Sequence, residues 1–154
     1  MNERLFVPEN KILRLATDIV IVNGNTTLLG LRTSSVGFHQ WSPLGGRIEC
    51  CDNSIFETAL REKNEELPDV KIELIKKVVG LRLNRLPPFY QPHLTFFLLA
   101  NYIGGNINAV DGEKIQVWQW FENNHLPENM FSKVDQIIKS VYDKKFRFVF
   151  DFPK

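Results

Sequence analysis

One helix interrupts a chain that is otherwise built of short, β-rich apolar runs, and that order constrains the fold more than any other feature. Ser54-Ile55-Phe56-Glu57 has the Ser-x-x-Glu form of a capping box, in which the Ser54 hydroxyl and the Glu57 carboxylate satisfy free amides of the first turn. Pro68 stops the helix. Between these limits Phe56, Ala59, Leu60 and Leu67 recur at helical spacing and define one buried stripe, with Lys63 the exception on that side. Upstream, residues 18–22 and 26–31 read as strands on either side of Asn23-Gly24-Asn25, the chemistry of a hairpin turn. Residues 32–41 read as a loop, followed by the punctuation of Pro43 and Gly45-Gly46. Downstream, residues 70–83, 93–102 and 115–121 are rich in Val, Ile, Phe and Trp, as strands are. A last amphipathic helix is predicted over about residues 132–144, where Val134, Ile137, Ile138 and Val141 line up. The order β, β, helix, β, β, β, helix predicts a mixed α/β sandwich.

The length, 154 residues, fits a single domain over 1–154. Nineteen Lys and Arg against eighteen Asp and Glu leave a net charge of +1, so no global field favours nucleic acid or an acidic membrane surface. Charge-based function must be local. The longest apolar runs, at 16–22 and 94–100, fall short of the roughly 18 residues that cross a bilayer. Met1-Asn2-Glu3-Arg4-Leu5-Phe6-Val7-Pro8 mixes charges and lacks the apolar core of a secretory signal, which points to the cytoplasm. The two cysteines, Cys50 and Cys51, are neighbours and can neither staple a fold nor make a zinc site alone.

Local charge is concentrated on the first helix. Glu62, Glu65 and Glu66 fall within roughly 100° of arc at 3.6 residues per turn, so they repel one another. They also crowd the last turns, where the helix dipole disfavours each carboxylate by about 0.3–1 kcal/mol. A solvated acidic face balanced by Arg61 and Lys63 is the simpler reading of such a helix taken alone. Its context argues for another. Gly45-Gly46 precedes it, and two glycines allow a backbone carbonyl to come beside whatever the carboxylates hold. Carboxylates plus a carbonyl form hard oxygen ligation, suited to Mg²⁺ or Mn²⁺.

From Gly46 to Leu67 the chain resembles the Nudix box, G-x5-E-x7-R-E-U-x-E-E-x-G-U, through Gly46, Arg61, Glu62, Glu65 and Glu66. Leu28-Leu29-Gly30-Leu31-Arg32 is similar to the family's LLGKR strand, Trp41-Ser42-Pro43-Leu44-Gly45-Gly46 to its W-x-x-PGG approach, and Trp118-Gln119-Trp120-Phe121 with Leu126-Pro127 to its late signature. The resemblance spans roughly residues 16–130 and implies a Nudix-type α/β/α sandwich with a mixed β-sheet. There are departures. Gly46 to Arg61 holds one residue more than the box, placed around Cys50-Cys51-Asp52, so Asn53 stands for the box glutamate with Asp52 beside it; Lys63 and Pro68 replace an aliphatic residue and a glycine.

The resemblance implies a hydrolase that cleaves the pyrophosphate of a nucleoside triphosphate or nucleotide sugar by water attack at phosphorus, with divalent metal. Its metal ligands by that resemblance are Glu62, Glu65 and Glu66, with the Gly45 carbonyl. Arg61 either braces the box loop through charge-assisted hydrogen bonds or is an exposed partner of Glu57 or Glu65; bracing is favoured. Glu113 resembles the late glutamate that serves as general base in nucleotide-cleaving members, and is equally natural as a turn residue of Asp111-Gly112-Glu113. Arg32 and Arg47 are candidates for phosphate contact, His39 for substrate contact, and Phe89 and Tyr90, on a Pro-flanked loop, for stacking. His93 and His125 read as structural or solvated, and Trp118 and Trp120 as core. Two alternatives remain: attack at a sugar carbon, as in the GDP-mannose mannosyl hydrolase branch, which residues 18–21 and 41–48 also resemble, and a nucleotide sensor without turnover, suggested by Asn53. A homodimer is a further expectation.

Overall fold

The computed structural model describes residues 12–153. The reading of Met1 to Pro8 lies outside the described residues. Two long strands form the spine: β1 (Arg14–Asn23) runs parallel to β6 (Gln91–Gly104), with Ala16 opposite Thr95 and Ile19 opposite Leu98. β6 returns antiparallel along β5 (Lys71–Leu86), and β8 (Arg147–Asp151) closes that edge parallel to β5. On the other side, β1 turns into β2 (Thr26–Arg32) through Gly24-Asn25; Gly24 has φ +57°, the left-handed conformation that costs glycine little. β2 carries β3 (Trp41–Ser42) and β7 (Ile115–Glu122), while β4 (Leu44–Arg47) pairs antiparallel with the first half of β1. The result is one mixed eight-stranded sheet, ordered β3-β2-β1-β6-β5-β8 with β4 and β7 on its flanks.

Side-chain alternation along the strands divides the core in two. α1 (Ile55–Glu66) covers a cluster that includes Ile19, Ile21, Leu98, Ala100 and Leu67. α2 (Val134–Tyr142) covers the opposite cluster, with Val20, Phe97 and Val149 beneath Ile137 and Ile138. The predicted sandwich is therefore present. A 3₁₀ turn, Phe131–Lys133, precedes α2, so the helix begins two residues later than its apolar pattern predicts. Among the described residues no helix is long and apolar enough to cross a membrane.

Three readings are corrected. The predicted α1 stripe fails at Leu60, which is exposed, because Glu62, Lys63 and Glu66 share the buried side with Ala59. Gly45-Gly46 forms strand, not loop. β8 was not foreseen: its outward residues Phe148 and Phe150 are exposed and its inward Val149 is buried, an alternation that belongs to an edge strand. Among the described residues those rings continue, through the half-buried cross-strand partners Leu81, Leu83 and Leu94 to exposed Leu15, as an apolar stretch of sheet beyond the reach of α1.

Candidate active site

Ser54 caps α1 as expected, accepting the Glu57 amide at 3.2 Å, whereas the Glu57 carboxylate accepts from the backbone and side chain of Asn53. Downstream, Lys63 is buried and its Nζ donates to the Val70 carbonyl at 2.9 Å, which ties the C-terminal end of the helix to the chain leading into β5. Burial lowers the Lys63 pKa. The helix is thus fixed at both ends, and its carboxylates project at fixed heights beside β4.

Gly46 is required by close approach, not by an unusual backbone angle. A Cβ there would overlap the Glu62 carboxylate, and one on Gly45 would overlap Asp18 and the Thr17 carbonyl. The glycine pair lets α1 pack its acidic side directly against backbone.

Arg61 ties this arrangement together. Its Nε and Nη2 donate to the two carboxylate oxygens of Asp52 at 3.1 and 2.9 Å, Nη2 also donates to the Arg47 carbonyl, and Nη1 donates to Glu62 at 3.1 Å. Asp52 further accepts from Thr58 Oγ1 and from the Glu49 amide. The hydrogen bonds from Arg61 hold the Asp52 carboxyl well below the usual carboxylate range, and Asp52 in turn raises Arg61. The bracing carboxylate is therefore Asp52 and not Asn53. Five residues separate Gly46 from Asp52, as the box requires, so the added residue falls between Asp52 and Arg61.

Glu62 and Glu66 are buried, at 6% and 1% exposure, while Glu65 is half exposed and turned toward Arg61 at 3.4 Å. The Lys114 ammonium sits among the buried pair. Its Nζ donates to the Gly45 carbonyl at 2.9 Å and lies 3.2 Å from Glu66 Oε1 and 3.6 Å from Glu62 Oε2. The Glu66 contact has ion-pair distance but not hydrogen-bond alignment, so both Glu66 oxygens keep unfilled lone pairs. Burial, partly countered by Lys114, pushes the Glu66 carboxyl up to about 7. Burial opposes the charge on Lys114, yet Glu66 and Glu62 outweigh it and raise its pKa.

This cradle fits a hard divalent cation on two observations: buried carboxylate oxygens without hydrogen bonds, and a carbonyl and two carboxylates already gathered about a positive charge. Among the described residues no three acidic, His or Cys side chains converge as a ready metal site, and Glu65 is held by Arg61.

A cleft of about 810 Å³ opens over the cradle. Of the predicted residues, Gly45, Glu62, Glu65, Glu113, Arg32, Arg47 and Phe89 line it; Arg61, Glu66, Tyr90 and His39 do not. Arg61 and Glu66 act from behind the wall, through the contacts above. Arg32 is committed internally, donating to the Val36 carbonyl and Ser34 and lying 4.1 Å over the Phe131 ring. His39 stacks on Phe38 and its carbonyl accepts from Asn129, away from the cleft. Tyr90 caps the β5–β6 hairpin, its amide donating to the Leu86 carbonyl.

Sequence reasoning missed Lys114 and the pair Asp18–Arg82. Arg82 is buried, 3.5 Å from Asp18 and between the Phe97 and Phe131 rings, and burial lowers its pKa while raising that of Asp18. A polar residue at every second place of an apolar strand, as in Leu81-Arg82-Leu83-Asn84, is the available signal. Lys114 gave none, since it precedes its strand as any turn lysine does.

The NUDIX domain family matches residues 12–142, and the chain belongs to the Nudix family of hydrolases. The fold is similar to that of a MutT NUDIX hydrolase from Burkholderia pseudomallei, at 18% identity and TM-score 0.73 over 85% of this chain and 99% of that one. An ADP-ribose pyrophosphatase from Streptococcus suis superposes at 19% identity and TM-score 0.63 over 88% and 98% of the two chains. An Ap4A hydrolase from C. elegans does so at 16% identity and TM-score 0.65 over 86% and 98%.

Proposed function

We propose that this chain hydrolyses the pyrophosphate linkage of a nucleotide, a nucleoside triphosphate or a nucleotide sugar, by attack of water at phosphorus with Mg²⁺ or Mn²⁺ bound. The observation that carries the reading is the buried Glu66 carboxylate, short of hydrogen bonds and facing the Gly45 carbonyl and Glu62 across a positive charge. Glu62, Glu66 and the Gly45 carbonyl would hold the cation, and Glu65 would complete the set by leaving Arg61. When bound, the divalent ion supplies charge neutralisation on adjacent phosphates and lowers the pKa of attacking water.

The chain's own residues do the rest. Arg61 and Asp52 fix the helix against β4, so the carboxylates do not drift as charge builds on the phosphate. Arg47, exposed on the cleft rim, offers a guanidinium to phosphate oxygens, and Phe89, exposed on the same rim, offers a ring to the nucleoside or X group. Glu113, on the cleft wall, accepts the proton of the attacking water. Asp52 supplies the bracing carboxylate that Asn53 lacks, which favours turnover over a non-catalytic sensor. The neighbours named above as ADP-ribose pyrophosphatase and Ap4A hydrolase are consistent with a nucleotide diphosphate core in the substrate.

Purified protein incubated with nucleoside triphosphates, dinucleoside polyphosphates and nucleotide sugars in Mg²⁺ or Mn²⁺ should release a nucleoside monophosphate from at least one of them, or a nucleoside diphosphate from a triphosphate or dinucleoside polyphosphate. Release of free sugar with intact nucleoside diphosphate would instead show attack at carbon, and no release from any compound would sink the hydrolytic reading. Among the described residues the exposed Phe148, Phe150 and Leu15, with half-buried Leu83 between them, support the homodimer as well, because monomers seldom expose an extended apolar face. Sedimentation at micromolar concentration should give twice the chain mass, and Phe150→Asp should halve it; a parent chain that sediments as one copy ends that part of the proposal.

A further inference from the structure

We propose that the Lys114 ammonium is the resident counter-ion of the oxygen cradle, that it competes with the divalent cation for these oxygens, and that it turns onto the substrate phosphates once displaced. The inference rests on the metal-assisted reading above. The Gly45 carbonyl, Glu62 and Glu66, each assigned to the cation, lie at 2.9, 3.6 and 3.2 Å from Nζ. An ammonium and a dication cannot both stand at these distances, since their repulsion in a partly buried site exceeds what either gains from sharing the oxygens. One must leave, and only the lysine has somewhere to go.

The backbone of Lys114 stays in place. Its carbonyl accepts from the Thr33 amide at 2.8 Å, and the next residue, Ile115, is buried in register with Arg32 at the start of β7. Motion is therefore confined to the side chain, a flexible stem ending in a compact charge with three donors. That side chain is about one-third exposed and lines the cleft, so its exit leads into the space where phosphates would lie. A lysine present for solubility alone would point its ammonium to water; this one is aimed inward, at two buried carboxylates.

Removing this charge should therefore move cation and substrate affinity in opposite directions. Lys114→Met keeps the stem and deletes the ammonium. Without nucleotide, Mn²⁺ titration followed by electron paramagnetic resonance should show binding about tenfold tighter than in the parent chain, within the range of ordinary site-to-site couplings. The KM of the same variant for its nucleotide should rise severalfold while kcat changes less. Lys114→Gln, a polar replacement, serves as a second variant, and circular dichroism checks that both are folded. Equal or weaker Mn²⁺ binding in both folded variants overturns the competition, and an unchanged KM overturns the transfer to phosphate. Absence of Mn²⁺ uptake by the parent and both variants overturns the metal-assisted reading, and this inference falls with it.

Discussion

The two helices cover opposite faces of one sheet and are built on different terms. α2 buries Val134, Ile137 and Ile138 completely, and its job is finished once they are packed. α1 buries Ala59 at the centre and Leu67 at its cap, but also Glu62, Lys63 and Glu66, which no design for stability would put there. The sheet beneath α1 is apolar, with Ile19, Ile21, Leu98 and Ala100 in its cluster, so the polarity of α1 is not imposed by its support. On α1 charge is buried on the side that faces β4, and the helix is kept in place by Arg61, Asp52 and Lys63 in place of a full apolar stripe.

The sharpest way to break this contrast is Glu66→Gln. Turnover should fall at least about a thousandfold, roughly 4 kcal/mol of transition-state stabilisation, while the melting temperature stays within about 5 °C of the parent. A second readout comes from pH. Burial raises the Glu66 carboxyl from 4.5 to about 7, so the folded chain keeps a proton that the unfolded chain gives up. Metal-free stability should decline as pH rises from about 4.5 to 7, and Glu66→Gln should flatten that decline. Near-normal turnover in both this variant and Glu65→Gln would refute the ligand assignment.

Ile137→Ala tests the other helix. It should cost about 2–5 kcal/mol in denaturant unfolding and leave kcat/KM within a few-fold wherever the variant is folded. Lost activity in a fully folded variant would show that α2 is coupled to the chemistry after all. The smallest effect is expected at Asp52→Asn, which keeps the shape of the brace and removes its charge. The Asp52 carboxyl is held below its ordinary value, so its contribution is present in full above about pH 4 and is lost as the pH falls from there through the lowered value. The parent should melt above the variant at pH 7, and the gap should close on acidification. A gap that widens in acid would contradict the Arg61–Asp52 brace.

Much of this architecture is legible in residue order. The β1–β2 hairpin around Gly24, the capped α1 and the apolar pattern of α2 are local in origin, set by turn conformation, capping and periodicity. The acidic cluster is legible for the same reason, because helical spacing alone brings Glu62, Glu65 and Glu66 to one side. Other features turn on particular contacts that neither periodicity nor spacing reveals. Counting back from Arg61 reaches Asn53 and counting forward from Gly46 reaches Asp52, and the hydrogen bonds from Arg61 and Thr58 to Asp52 decide between them. Leu60 lost its burial to Lys63 because the carbonyl of Val70 offered Nζ a partner. His39 was read as a substrate contact from its loop, but stacking on Phe38 and the bond from Asn129 hold it elsewhere.

The order of residues by itself determined the layers, the family and the acidic side of α1, since each follows from interactions within a few positions of the chain. Only the tertiary structure decided what the carboxylates face. Lys114 reaches Gly45 and Glu66 across a separation in sequence that no periodicity spans, and does so because β7 is locked in register on β2. Long-range strand pairing, not local preference, puts a positive charge in the acidic cradle.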